Sequence, residues 1–208
     1  MATAALETIG LTLWGFRPRL MASIVERLGA RGALRWFAAN MLRYERTRAH
    51  FGPLRTHLLT VEISLLNGCT YCAAGHADAL ELWYLREHGE LPPFSWSTLA
   101  PLLGEPPEVL RTRLRPLFDR PQLVGERAWF ERLLDLFTGE QQAVTSDDRR
   151  IEHLVEMFAV LNACGIADRV EPDEAHDPIN RHSKLRQRRA ALRASQAESQ
   201  EDHSGTAV

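Results

Sequence analysis

Apolar residues recur every three or four positions along almost all of this chain, and apolar–polar alternation is nowhere sustained. Asn-Gly and Asp-Gly hairpin signals between alternating runs are absent, and runs of Val, Ile or Thr are few. The spacing therefore predicts an all-α fold: a single helical-bundle domain of seven or eight helices over residues 1–180, with a tail over 181–208. Glycine and proline punctuate it. Helices are expected at about 18–28 (stopped by Gly29), 33–48, 54–66 (ended by Asn67-Gly68) and 69–88. Residues 91–105 read as a linker with a short helix from Ser97 to Leu103. Further helices are expected at about 107–118, 122–138 and 148–162.

The tail changes character. It opens with RHSKLRQRRAALRAS, expected to be a frayed basic helix, and closes with QAESQEDHSGTAV, expected to be disordered. With 208 residues, 45% of them apolar, the chain can bury a core without disulfides or metals. The formal charge of -2 and the lack of aromatics in the RQRRAALR run give no reason to expect a nucleic-acid partner. Nothing approaches the roughly 18 uninterrupted apolar residues of a membrane span. The start, MATAALETIGLTLWGF, lacks the basic region of a secretory signal. A cytoplasmic protein is the expectation, and three cysteines are too few for a disulfide scaffold.

Chemistry concentrates in residues 58–80, LLTVEISLLNGCTYCAAGHADAL. On one helix, Cys69, Cys72 and His76 fall within roughly a 60° arc. The cysteines stand at the expected helix start, where free N–H groups and the helix dipole favour a thiolate. His76 is placed to accept a proton from Cys72. One thiolate then attacks an oxidant or disulfide, and its partner resolves the product into an intramolecular disulfide. On the preceding helix Glu62 shares a leucine face, where burial would raise its pKa and make it a proton relay. Equally it is a buried acid paired with Arg55 or Arg86. His57 lies on another stripe and reads as an exposed helical histidine.

The run from Glu62 through NGCTYCAAGH resembles the core motif of the alkylhydroperoxidase D and carboxymuconolactone decarboxylase superfamily, over about residues 54–84. That resemblance implies an AhpD-like all-helical fold and a homo-oligomer (dimer, trimer or hexamer). It also implies a thiol-dependent hydroperoxide reductase or disulfide oxidoreductase, with a small hydroperoxide or disulfide as substrate. No bound cofactor is implied; an external dithiol of the lipoyl type would re-reduce the pair. Carried over by position, Cys72 resembles the attacking cysteine, Cys69 its disulfide partner and His76 the activating histidine. The family's relay glutamate stands twelve residues before the first cysteine. His57 occupies that position here, and Glu62 lies seven before it, so either residue is a candidate relay.

Two other readings of the motif stand beside this one. The first is a non-catalytic helical redox sensor or scaffold; the second is a structural zinc site, which would need a fourth ligand such as His57 or Glu62. Cys164 reads as a buried small residue. The EPDEAHDP stretch at 171–178 reads as an acidic surface loop rather than a cation site.

Overall fold

The computed structural model describes the backbone of residues 1–204 and the side chains of residues 1–198. Among the described residues there are nine α-helices and no strand, which agrees with the all-α expectation and adds helices to it. The helices are α1 (Ala2–Trp14), α2 (Leu20–Phe51), α3 (Pro53–Leu66), α4 (Thr70–His88), α5 (Trp96–Leu99), α6 (Pro107–Leu114), α7 (Arg127–Thr138), α8 (Ser146–Ala167) and α9 (Ser183–Ser204). Gly29, at φ 69° and ψ 159°, breaks α2 where the sequence predicts a stop. The helix at 2–14 has no counterpart in the sequence reading. It is seated by Gly10, where a Cβ would stand 2.3 Å from the Pro18 ring.

The α3–α4 hairpin is the centre of the molecule. Pro53 opens α3 at its first turn, and Asn67, Gly68 and Cys69 connect it to α4. Both helices are buried on nearly every side, because one apolar cluster covers them from α1, α2 and α8 while a second covers them from α5, α6 and α7. An axis buried all round must satisfy or isolate whatever polar groups it carries. This hairpin carries Thr56, His57, Thr60, Glu62, Ser64, His76 and Glu81, each 5% exposed or less.

The tail is not frayed over its basic half. Leu185 and Leu192 pack with Ala79, Leu82 and Leu85 of α4. Arg189 pairs with Asp78 at 3.0 Å and Arg193 with Glu81 at 2.9 Å. Leu185, Arg189, Leu192 and Arg193 form one helical stripe, so the basic residues flank an apolar seam and meet carboxylates on α4. The closing segment was expected to be disordered; it is helical to Ser204, and residues 205–208 lie outside the described residues. Among the described residues no helix is long and apolar enough to cross a membrane.

The start of α8 is a capping box between Thr145 and Asp148, and Asp148 also takes a 2.7 Å bond from the Arg132 guanidinium of α7. That bond from Arg132 lowers the Asp148 carboxyl well below its usual range; burial opposes it, and the Thr145 and Val144 N–H groups assist. A depressed folded pKa stabilises above the unfolded value of about 3.9 and is lost as pH falls through the folded one. Asp148→Ala is therefore expected to cost about 1–3 kcal/mol at pH 7. That cost should shrink steadily below about pH 4, as read from urea melts of both proteins at pH 7 and pH 3.

Candidate functional site: a buried dithiol with a two-histidine chain

Cys69 is the N-cap of α4, with extended backbone, and Cys72 follows one turn later. Both are free thiols, 1% and 2% exposed. Their environments split them. The thiol of Cys72 hydrogen-bonds Cys69 and holds its pKa below the ordinary value, with the backbone N–H groups of Cys72 and Tyr71 adding to this against burial. Burial pushes the Cys72 thiol well up, and the neighbouring Cys69 pushes it further. The Cys72 thiol, helped by the helix-start N–H groups, thus acidifies Cys69 alone, where the sequence led to the expectation of one activating field over both thiols. Close packing fixes Cys69: a Cβ on Gly165 of α8 would lie 2.9 Å from its Sγ.

Cys72 instead faces a cavity of about 40 Å³, lined also by Tyr44, His76, Phe158, His176 and Trp14. This space admits a few waters or a small head group. It adjoins an apolar groove of about 500 Å³ between α1 and α2, with Trp14, Met21, Phe37 and Met41 lining both.

His76 is backed by a chain the sequence did not reveal. Its Nδ1 lies 2.9 Å from Nδ1 of His57, and Nε2 of His57 lies 2.9 Å from Oδ2 of Asp177. Asp177 also accepts from the Trp83 indole N–H at 3.0 Å and the Ile179 backbone N–H at 2.8 Å. Arg48 stands 3.6 Å away. Burial alone would raise the Asp177 carboxyl, but the His57 bond and charge, with the Ile179 and Trp83 donors, hold it below its usual range. An ionised Asp177 requires His57 to donate from Nε2. When His57 Nδ1 is bare, His76 must donate from its own Nδ1, which leaves His76 Nε2 as a lone-pair base. His76 is buried and lines the cavity together with Cys72. Burial first, then His57 and His176, push the His76 pKa well down, so the ring stays neutral.

The expected site residues therefore separate. Cys69, Cys72, His76 and His57 come together. His57 is not exposed but completely buried, because α3 is covered on every side. Glu62 does not join them. It lines a different cavity of about 40 Å³ among Leu58, Leu65, Leu80, Phe94 and Phe130, and both its carboxyl oxygens lack partners. Arg55 is committed to Glu126 at 2.6 Å and Arg86 lies over the Trp83 ring, so neither pairs with it. Burial, and then Glu131, raise the Glu62 pKa well above the usual range.

The sequence reading missed Asp177, His176 and Tyr44. The 171–178 stretch is not a surface loop: Ala175, His176 and Asp177 are 5% exposed or less. Asp173 anchors it by accepting from the Tyr71 hydroxyl at 2.8 Å and pairing with Arg19 at 3.0 Å. The backbone N–H of His176 donates to the Gly75 carbonyl at 3.1 Å. A Cβ on Gly75 would meet the His176 ring at 2.3 Å. Gly75, three residues after Cys72 on the same helix face, is the one sequence signal that another chain segment fills that face. Cys164 is buried, as expected. Among the described residues no group of three or more His, Cys, Asp or Glu side chains is arranged to hold a metal ion.

A raised folded pKa stabilises below the unfolded value and loses that contribution as pH rises through the folded one, so Glu62 weakens the fold toward alkaline pH. Glu62→Leu is expected to raise stability by about 1–3 kcal/mol at pH 8 and by less at pH 5. It should leave the reactivity of Cys72 toward oxidants unchanged. Urea melts at the two pH values, with a peroxide assay, check both points.

Comparisons with protein-family models, curated proteins and solved structures find no match, so the functional reading rests on the geometry of the site itself.

Proposed function

We propose that this protein is a thiol-dependent hydroperoxide reductase. The observation that carries the reading is the shared cavity of Cys72 and His76, with His76 Nδ1 tied through His57 to Asp177. Cys72 would hold its proton at rest and surrender it to His76 Nε2 as peroxide arrives. His76 passes its Nδ1 proton to His57 Nδ1, which leaves the positive charge on His57 against ionised Asp177. The Cys72 sulfur attacks the terminal oxygen of the hydroperoxide; an S–O bond forms, the O–O bond breaks, and the stored proton returns to the departing alkoxide. Cysteine becomes sulfenic acid and the hydroperoxide becomes an alcohol. Cys69, the more acidic thiol, then displaces hydroxide from Cys72. This forms the disulfide and, with the Cys69 proton, water. An external dithiol of the lipoyl type reduces the disulfide by exchange.

The burial of both sulfurs favours a second reading, a redox sensor whose disulfide forms once and is not recycled. Steady-state assays of the reduced protein with tert-butyl hydroperoxide and dihydrolipoamide separate the two. Many turnovers per dithiol pair support the reductase; a single oxidation per pair supports the sensor. Under the first reading Cys72→Ser abolishes turnover, and Cys69→Ser halts after one equivalent with a trappable sulfenic acid. Asp177→Asn should lower the rate of Cys72 oxidation by about 100-fold. The wild-type rate should rise with pH above neutrality, because burial keeps the Cys72 thiol protonated there.

A further inference from the structure

Two buried polar atoms around the Cys72 cavity have no hydrogen-bond partner: His176 Nε2 and the Tyr44 hydroxyl. The proton chain uses neither. An unsatisfied buried polar group costs about 1–3 kcal/mol, and native proteins seldom leave two beside one small cavity without a ligand to complete them. Tyr44 is 5% exposed; its hydroxyl stays protonated because burial raises its pKa, with Asp177 and Glu45 adding to this. His176 is also 5% exposed and meets the His76 ring edge-on, with centroids 5.3 Å apart. Burial, and then His57, lower its pKa to about 3, so it acts as a neutral imidazole. Tyr71 and Trp14 hold its ring at centroid distances of 4.7 and 5.8 Å. The absent Gly75 side chain gives it its place beside the turn that follows Cys72.

We infer that Tyr44 and His176 are further catalytic residues, whose O–H and N–H groups hold the hydroperoxide oxygens across the cavity from Cys72. This rests on the peroxidase reading. As the Cys72 S–O bond forms and the O–O bond breaks, negative charge gathers on the departing oxygen. The two donors stabilise that charge until His76 delivers the thiol proton. Neither donor is consumed: the sulfur is oxidised by two electrons, the peroxide is reduced by two, and the proton that leaves Cys72 ends on the alcohol. Neutral donors suit this role, because they need no proton of their own to be replaced.

The test uses the reduced full-length protein and stopped-flow rates of Cys72 oxidation by tert-butyl hydroperoxide. Alkylation of Cys72 by iodoacetamide, resolved by mass spectrometry, is the control. Tyr44→Phe removes only the orphan hydroxyl. It should lower the peroxide rate by about 100-fold, leave alkylation unchanged, and keep or raise the melting temperature. His176→Phe should behave likewise, and His176→Gln, which keeps an N–H donor, should recover part of the rate. Unchanged peroxide rates in both Phe variants overturn the assignment and leave the reductase standing. Peroxide and alkylation rates that fall together also overturn it, by showing that the change acts on the thiol or the packing. A wild type inert to peroxide overturns the reductase reading and this assignment with it.

Discussion

Ionised Asp177, buried against His57, is the interaction on which the rest of the site depends. A carboxylate at 1% exposure is costly unless it is paired and fully bonded, and this one is held by His57, Trp83 and the Ile179 N–H, with Arg48 nearby. Those bonds join four parts of the chain: α2, α3, α4 and the segment before α9. They also set the orientation of His57, and through it the proton position on His76. A structural need, satisfying a buried charge, thereby becomes a chemical setting: which nitrogen of His76 carries the proton and which is left bare.

The 171–182 segment is correspondingly more than a connection. It brings Asp177 to His57 and His176 against the His76 ring. Its own position is set by Asp173 on Arg19 and Tyr71, and by Asn180, which donates to the Trp14 carbonyl at 3.0 Å. Helix α9 then clamps the outer face of α4 through Arg189 and Arg193. The motif on α3 and α4 is completed by residues about a hundred positions further on.

That distance explains what the sequence showed and what it hid. The helices around the motif were legible because local signals define them: Gly29 halts one, Pro53 opens another, Asn67-Gly68 closes it and Gly89 ends α4. The grouping of Cys69, Cys72 and His76 was legible for the same reason, being a matter of helical spacing. Burial was not. Spacing arguments assume that a helix has an outside, and α3 has almost none, so His57 read as exposed and Glu62 stood beside it as a candidate relay. Asp177 and His176 sat in a stretch whose acidity and proline suggest solvent; only the three-dimensional partners His57, Trp83 and Gly75 turn them inward. The basic run of α9 misled in the same way, since its acceptors Asp78 and Glu81 belong to another helix.

The proton chain is the central claim, and nitrogen-15 NMR of the imidazole rings of His57 and His76 between pH 5 and pH 9 tests it most directly. When the pair takes up a proton, His76 is expected to stay neutral and exchange its Nδ1 proton for one on Nε2, while His57 becomes the imidazolium beside Asp177. A His76 that becomes doubly protonated, or that keeps one tautomer whatever the charge on His57, would contradict the chain and leave Cys72 without its base.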